Sequence, residues 1–297
     1  MRTLNFFFAI FLVVLVFYSC SKKEDESVDT PVAAAPRLIF KFKFDSTQVR
    51  LNNLGQVSVI AVGYSGQSPM FNKMSAHYIE LAPDSLTALG SGIRLYHAPE
   101  TTAGGSTAID FDSSVVVGEG QFFFSIPLSN ITVGSYRWLR VSLAYQNYDI
   151  RFLANGFNLT GTLASFIGFN TYVRSYQIHD SLLSVNSNKA QGYWGFETTV
   201  SGNHFVSVGQ TPPGATTVPN PISVTSPIPS GSCVVTGAFV YPFVITGNES
   251  HDIIVTVSLS TNKSFEWKDT NANGIFEPLD GDTVVDMGVR GLIPIVQ

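Results

Sequence analysis

The residues best suited to chemistry lie near the C-terminus. There Asp269-Thr270-Asn271-Ala272-Asn273-Gly274-Ile275-Phe276-Glu277-Pro278-Leu279-Asp280 follows the pattern D-x-[DN]-x-[DN]-G, with oxygen donors again at the ninth and twelfth positions. Alternate side chains of a tight loop converge on one point, and calcium takes about 6–8 oxygen ligands at about 2.3–2.6 Å. Asp269, Asn271, Asn273, Glu277 and Asp280 offer side-chain oxygens, Ile275 offers its main-chain carbonyl, and Gly274 permits the sharp turn. These six are the candidate Ca²⁺ ligands. The competing reading is an Asx-rich turn, in which the same side chains accept hydrogen bonds from nearby amides. Three carboxylates predict a modest affinity, on the order of 10⁻⁴–10⁻³ M, and a bracing role.

Over these twelve residues the segment resembles the calcium loop of EF-hands and dockerins. It departs from them in carrying Asp280 where the longer Glu is usual, and Pro278 where an EF-hand begins its exit helix. Its flanks, Phe265-Glu266-Trp267 and Thr283-Val284-Val285, read as strands. A calcium loop between strands is physically sound, because the ligand geometry belongs to the loop.

Other reactive residue types form no recognisable constellation in the sequence. His77, His97, His179, His204 and His251 sit at no zinc-ligand spacing from one another or from a cysteine. His179-Asp180 and His251-Asp252 are adjacent pairs without a G-x-S-x-G elbow, so no hydrolase triad is expected. Gly104-Gly105-Ser106 lacks the strand–helix setting of a phosphate loop. Trp138, Trp194 and Trp267 are expected in the core rather than on a sugar-stacking platform. No catalytic residue is assigned, and the expectation is a protein that is not an enzyme.

The N-terminus carries an address. Arg2 precedes a thirteen-residue apolar run, Phe6 to Tyr18. A membrane-spanning helix needs about 20 such residues, whereas the h-region of a secretory signal peptide has about 7–15. Ser19-Cys20 then resembles the lipobox of type II signal peptides, with Phe17 and Tyr18 departing from the usual Leu and small residue. That resemblance implies cleavage before Cys20 and lipidation of Cys20 by acyl chains. The following Ser21-Lys22-Lys23-Glu24-Asp25-Glu26 resembles the lipoprotein export signal of Bacteroidota, which implies the outer membrane with its cell-surface face favoured. The expected organisation is a signal peptide over 1–19, a lipidated flexible tether over 20–36, and one domain over 37–297 with a proline-rich connection at 209–232.

Composition bounds the rest. Net charge is −5, charged residues make up 13 % of the chain, and the domain has no basic cluster. Nucleic acid is therefore excluded as a partner, because phosphate neutralisation needs concentrated Lys and Arg. Aromatics reach 12 %, with 23 phenylalanines, so much ring surface must be buried. Apart from Cys20 the only cysteine is Cys233, which opens an apolar stretch and reads as a small core residue.

The elements that must position these residues read as strands. Leu38, Phe40, Phe42 and Phe44 alternate with Ile39, Lys41 and Lys43; Leu139 to Tyr145 and Ile253 to Leu259 alternate in the same way. Such alternation puts one face on the core and the other toward water. Shorter runs at Val57–Val62, Tyr78–Leu81, Gln121–Ile126, Asn170–Ile178 and Tyr193–Phe196 add further strands, and Val234–Ile245 with Ile253–Leu259 reads as a hairpin-like pair returning to the sheets begun by the first strand. The predicted fold is all-β, an antiparallel β-sandwich of many short strands with little helix outside the signal peptide.

Phe42-Lys43-Phe44-Asp45, Arg50-Leu51-Asn52-Asn53-Leu54-Gly55, His77-Tyr78-Ile79-Glu80-Leu81 and Gly134-Ser135-Tyr136 ahead of Leu139-Arg140-Val141 are similar in rhythm to MbnP-like proteins. That resemblance implies a β-sandwich of the bacterial envelope. Some members bind copper, but the histidines expected near the first strand are missing, so copper is not carried over. The expectation is a non-catalytic envelope lipoprotein, held to the membrane by its lipid, that binds a protein or glycan or serves envelope assembly. The alternatives are an MbnP-like metal-handling protein and a surface glycan-binding module or glycosidase accessory.

Overall fold

The computed structural model describes residues 35–52, 55–85, 87, 88, 90–211 and 233–297. Cys20, where lipidation is expected, the expected signal peptide and nearly all of the expected tether lie outside them, as does most of the proline-rich connection. In chain order the strands are β1 (Arg37–Asp45), β2 (Tyr64–Gln67), β3 (Met70–Ala82), β4 (Ile93–His97), β5 (Glu100–Thr101) and β6 (Ala108–Asp110). They continue with β7 (Phe122–Pro127), β8 (Gly134–Ala154), β9 (Phe157–Phe166), β10 (Asn170–Gln177), β11 (Leu182–Ala190) and β12 (Tyr193–Val200). The last six are β13 (Asn203–Gln210), β14 (Cys233–Ile245), β15 (Ile253–Ser260), β16 (Phe265–Lys268), β17 (Thr283–Asp286) and β18 (Leu292–Val296). Two short 3₁₀ turns, Phe111–Ser113 and Leu128–Asn130, are the only helical segments among the described residues. The all-β reading holds, and no described helix is long and apolar enough to cross a membrane.

The strands form four sheets. One runs β18-β15-β1-β7, a second β11-β10-β6-β5, a third β17-β16-β2, and the largest β13-β12-β9-β8-β3-β4, with β14 also on β8. Pairing is antiparallel except for β1 with β15 and β10 with β6. The 21-residue β8 organises the large sheet. β14 pairs with its first half and β9 with its second half along the same edge, while β3 runs along the other edge.

Alternation placed the inward residues of β1 correctly: Leu38, Phe40 and Phe42 are fully buried, with Ile39 and Lys41 between them. Across the interface Phe44 meets Phe71 of β3 at 5.3 Å between ring centroids, and Tyr96 of β4 meets Phe123 of β7 at 4.9 Å. These contacts make the sandwich core. Offset and edge-on rings of this kind contribute about 0.5–1.5 kcal/mol per pair beyond their buried area.

Three sequence expectations are corrected. In β8, Arg140, Ser142 and Ala144 do not face water: all three are buried, Arg140 by the segment that joins β3 to β4. Arg140 is instead buried against Glu80 at 3.3 Å and the Ser85 carbonyl at 2.7 Å. The residues of β8 that face the main core also change parity, from 139, 141 and 143 to 148, 150 and 152, so Tyr145 packs in the second core with Phe166 and Tyr176. The change falls where β8 passes from β14 to β9, and one irregularity moves the following side chains to the other face. Next, Val57–Val62 is not a strand. Val57 makes an isolated bridge to Leu51, and Val57, Val59 and Val62 are exposed. Local β propensity supplied the pattern there without a partner edge to pair with. Finally, β14 and β15 do not form a hairpin. β15 joins β1 while β14 joins β8 in the opposite layer. Gly237 permits this arrangement, because a Cβ there would stand 2.1 Å from the Leu292 carbonyl oxygen of β18.

Candidate functional site

The acidic loop connects β16 to β17, which pair with each other as the sequence flanks suggested. Asp269 Oδ1 accepts from the Asn273 amide at 3.3 Å, and its Oδ2 accepts from the Gly274 amide at 2.8 Å and from the Ser65 hydroxyl at 2.7 Å. The Ser65 hydrogen bond leads the causes that hold the Asp269 carboxyl below its usual range. Asn271 Oδ1 accepts from the Asn273 amide, and Asn273 Oδ1 accepts from the Ile275 amide. Both asparagine Nδ2 groups then donate to Glu277 Oε2, at 2.7 and 2.6 Å. Asp269, Asn271, Asn273 and Glu277 are thus brought together and satisfy one another.

Asp280 stays outside this group and is exposed. Asp282 takes the closing role, accepting from the Thr270 amide at 3.0 Å and the Glu277 amide at 2.9 Å. The carboxylate two residues further along reaches inward where the twelfth position does not. Ala272 and Gly274 adopt positive φ, 58° and 74°, which turns the chain sharply enough for the alternate side chains to converge.

The loop also shapes a cavity. Phe276 points inward from it, packs on Phe265 at 5.1 Å and on Trp267 at 5.5 Å, and its carbonyl accepts from the Leu153 amide of β8 at 2.8 Å. Next to it lies a pocket of about 400 Å³ whose apolar walls include Phe152, Trp194, Phe196, Phe265, Phe276 and Met287. Ser207, Gln210 and Thr211 also line it, and none of its lining residues is ionisable in the physiological range. Pockets that hold small molecules commonly measure about 300–1,000 Å³ with mostly apolar walls and a few polar groups. Of the three tryptophans, Trp267 is buried in the core and Trp194 lines this pocket, so the three do not make an exposed sugar platform.

Four of the five histidines fall into two clusters that sequence spacing did not reveal. His179 and Asp180 sit on a turn whose three amides, from His179, Asp180 and Ser181, donate to Glu197 at 3.0, 2.9 and 3.0 Å. His204 Nε2 adds a fourth contact at 2.7 Å. Burial raises the pKa of Glu197, but these donors outweigh it and hold the carboxyl at about 2. Both carboxylate oxygens are occupied, so the group caps the turn.

In the second cluster, His77 Nε2 and His97 Nε2 both meet Glu100 Oε1, at 2.8 and 3.2 Å. The His97-x-x-Glu100 spacing was the one local signal of this cluster. Burial above all lowers the pKa of His77, to about 4, against the raising influence of Glu100. Burial raises Glu100, yet the two imidazole hydrogen bonds bring it below its usual value overall. Cys233 is buried in the main core, as its apolar surroundings implied. Compared with protein-family models, curated proteins and solved structures, the chain matches none.

Proposed function

We propose that this chain is a non-catalytic binding protein of the bacterial envelope, anchored through Cys20, whose β domain takes an uncharged ligand with a flat apolar group into the Trp194–Phe276 pocket. The observation that carries the reading is the pocket itself, ringed by aromatic side chains and free of ionisable groups in its lining. Such a lining supplies contact area and no general acid or base. The acidic loop supports the same reading as a brace, since it fixes Phe276 in the pocket wall. Calcium at Asp269, Asn271, Asn273 and Glu277 would stiffen that wall once both asparagine amides turn over to present Oδ1, a rotation about a broad, low-barrier torsion.

Titration of the purified domain with N-phenyl-1-naphthylamine, an uncharged aromatic fluorophore, tests the binding site. Saturable binding is expected, with loss in Ser207→Arg, which places a long charged side chain at an exposed position in the lining. Binding that is absent, or that is indifferent to this substitution in a folded variant, rules the pocket out.

A further inference from the structure

We propose that His77, His97 and Glu100 form a binding site for a divalent transition ion of the zinc class, joining the large sheet to the second one. The three residues come from three strands. His77 lies on β3, His97 ends β4, and Glu100 opens β5, which belongs to the second sheet through its pairing with Ile109 of β6. One ligand atom from each lies within 4.8 Å of the others.

The backbone aims His77 into this position. Ala76 pairs with Leu143 and Tyr78 with Ser142, consecutive residues of β8, so His77 has no partner on β8 and stands at a β-bulge. A bulge interrupts a ladder in order to re-aim a side chain, and bulges are over-represented beside functional sites. The ring is then fixed by packing: Phe169 lies 5.2 Å from it and Tyr78 4.3 Å, while Tyr78 also stacks on His97 at 4.3 Å and 12°. Rigid, pre-placed imidazoles lose little freedom on binding an ion.

The donor set selects the ion. Two neutral imidazoles and one carboxylate suit zinc, which binds nitrogen at about 2.0–2.1 Å and in open sites keeps a fourth position for water or another ligand. Tetrahedral coordination at that length needs ligand atoms about 3.3 Å apart. The two contacts to Glu100 Oε1, at 2.8 and 3.2 Å, lie within about 0.5 Å of this spacing, so small side-chain shifts open it for an ion. His77 is fully buried, whereas the side chains of His97 and Glu100 are 32 % and 27 % exposed, so the open position faces solvent. The other cluster, around Glu197, lacks this opportunity because its carboxylate is already filled by backbone amides.

The test is calorimetric titration of the untagged chain with zinc, combined with zinc-edge X-ray absorption. One ion per chain with two nitrogen neighbours is expected. His97→Ala and Glu100→Gln, both at the surface and compatible with folding, are expected to weaken binding by at least about tenfold, while His204→Ala leaves it unchanged. No saturable uptake, or equal affinity in the folded His97→Ala and Glu100→Gln variants, overturns the proposal. Neither result bears on the aromatic pocket.

Discussion

Replacement of Glu197 by Gln tests how far one buried carboxylate holds the edge of the large sheet. Its side chain is 4 % exposed and accepts four hydrogen bonds, three from the amides of the His179–Ser181 turn and one from His204. The carboxyl ionises near 2 in the folded chain against an ordinary value of 4.5. A folded pKa below the unfolded one means that the stabilisation is present above pH 4.5 and is lost as pH falls toward 2. At neutral pH the difference is worth about 3 kcal/mol. Gln keeps the shape but turns an NH₂ group toward two N–H donors, so the variant should lose about that much, a fall in Tm of about 6–12 °C for a domain of this size. Urea unfolding at pH 7 and pH 3 separates this cause from a general packing defect. The gap between the two proteins is expected to shrink to about 1 kcal/mol at pH 3, because the native carboxylate has by then lost about 2 kcal/mol. A gap of the same size at both pH values refutes the reasoning.

Two further outcomes follow from the loop and the anchor. Calcium at about 10 mM, roughly 100 times a dissociation constant of 10⁻⁴ M, is expected to stabilise the domain by about 2.7 kcal/mol in thermal melts, with the effect lost in Asp269→Ala; an equal response in that variant disproves the loop as the site. In a bacterial host, radiolabelled palmitate is expected to enter the wild-type chain and not Cys20→Ala; labelling that survives the substitution removes the anchor assigned to Cys20.

Alternation in sequence was a faithful guide wherever a strand has one buried face and one wet face. It located the core residues of β1 because the lysines between them face outward. It misled in β8, where layers on both sides bury consecutive residues and a parity change sends Tyr145 into a different core from Leu143. The acidic loop was legible because its chemistry is local: Asp269, Asn271, Asn273 and Glu277 lie within nine residues and meet one another. Asp282 was visible as a possible additional donor, but that it would replace Asp280 as the closing carboxylate was not, since this depends on how the chain leaves the turn. The pocket draws Phe152 from β8, Trp194 and Phe196 from β12 and Phe276 from the loop, and no short window of sequence contains that set. His77 was hidden twice over, by the nineteen residues that lie between it and His97 and by a bulge that periodicity cannot register.

The parallel pairing of β1 with β15 sets the order of events during synthesis. Leu38 lies beside Ile253 and Asp45 beside Ser260, so β1, which gains β7 on one edge much sooner, must wait for more than 200 further residues before the neighbour on its other edge exists. Long-range closures of this kind are slow and leave early segments open to association. Meanwhile β1 is a phenylalanine-rich strand with one edge unpaired. Lys41 and Lys43, which make no contribution to the core, interrupt it at two successive outward positions, where charge opposes stacking of one nascent chain on another. The alternation that packs the finished sandwich therefore also protects the unfinished one.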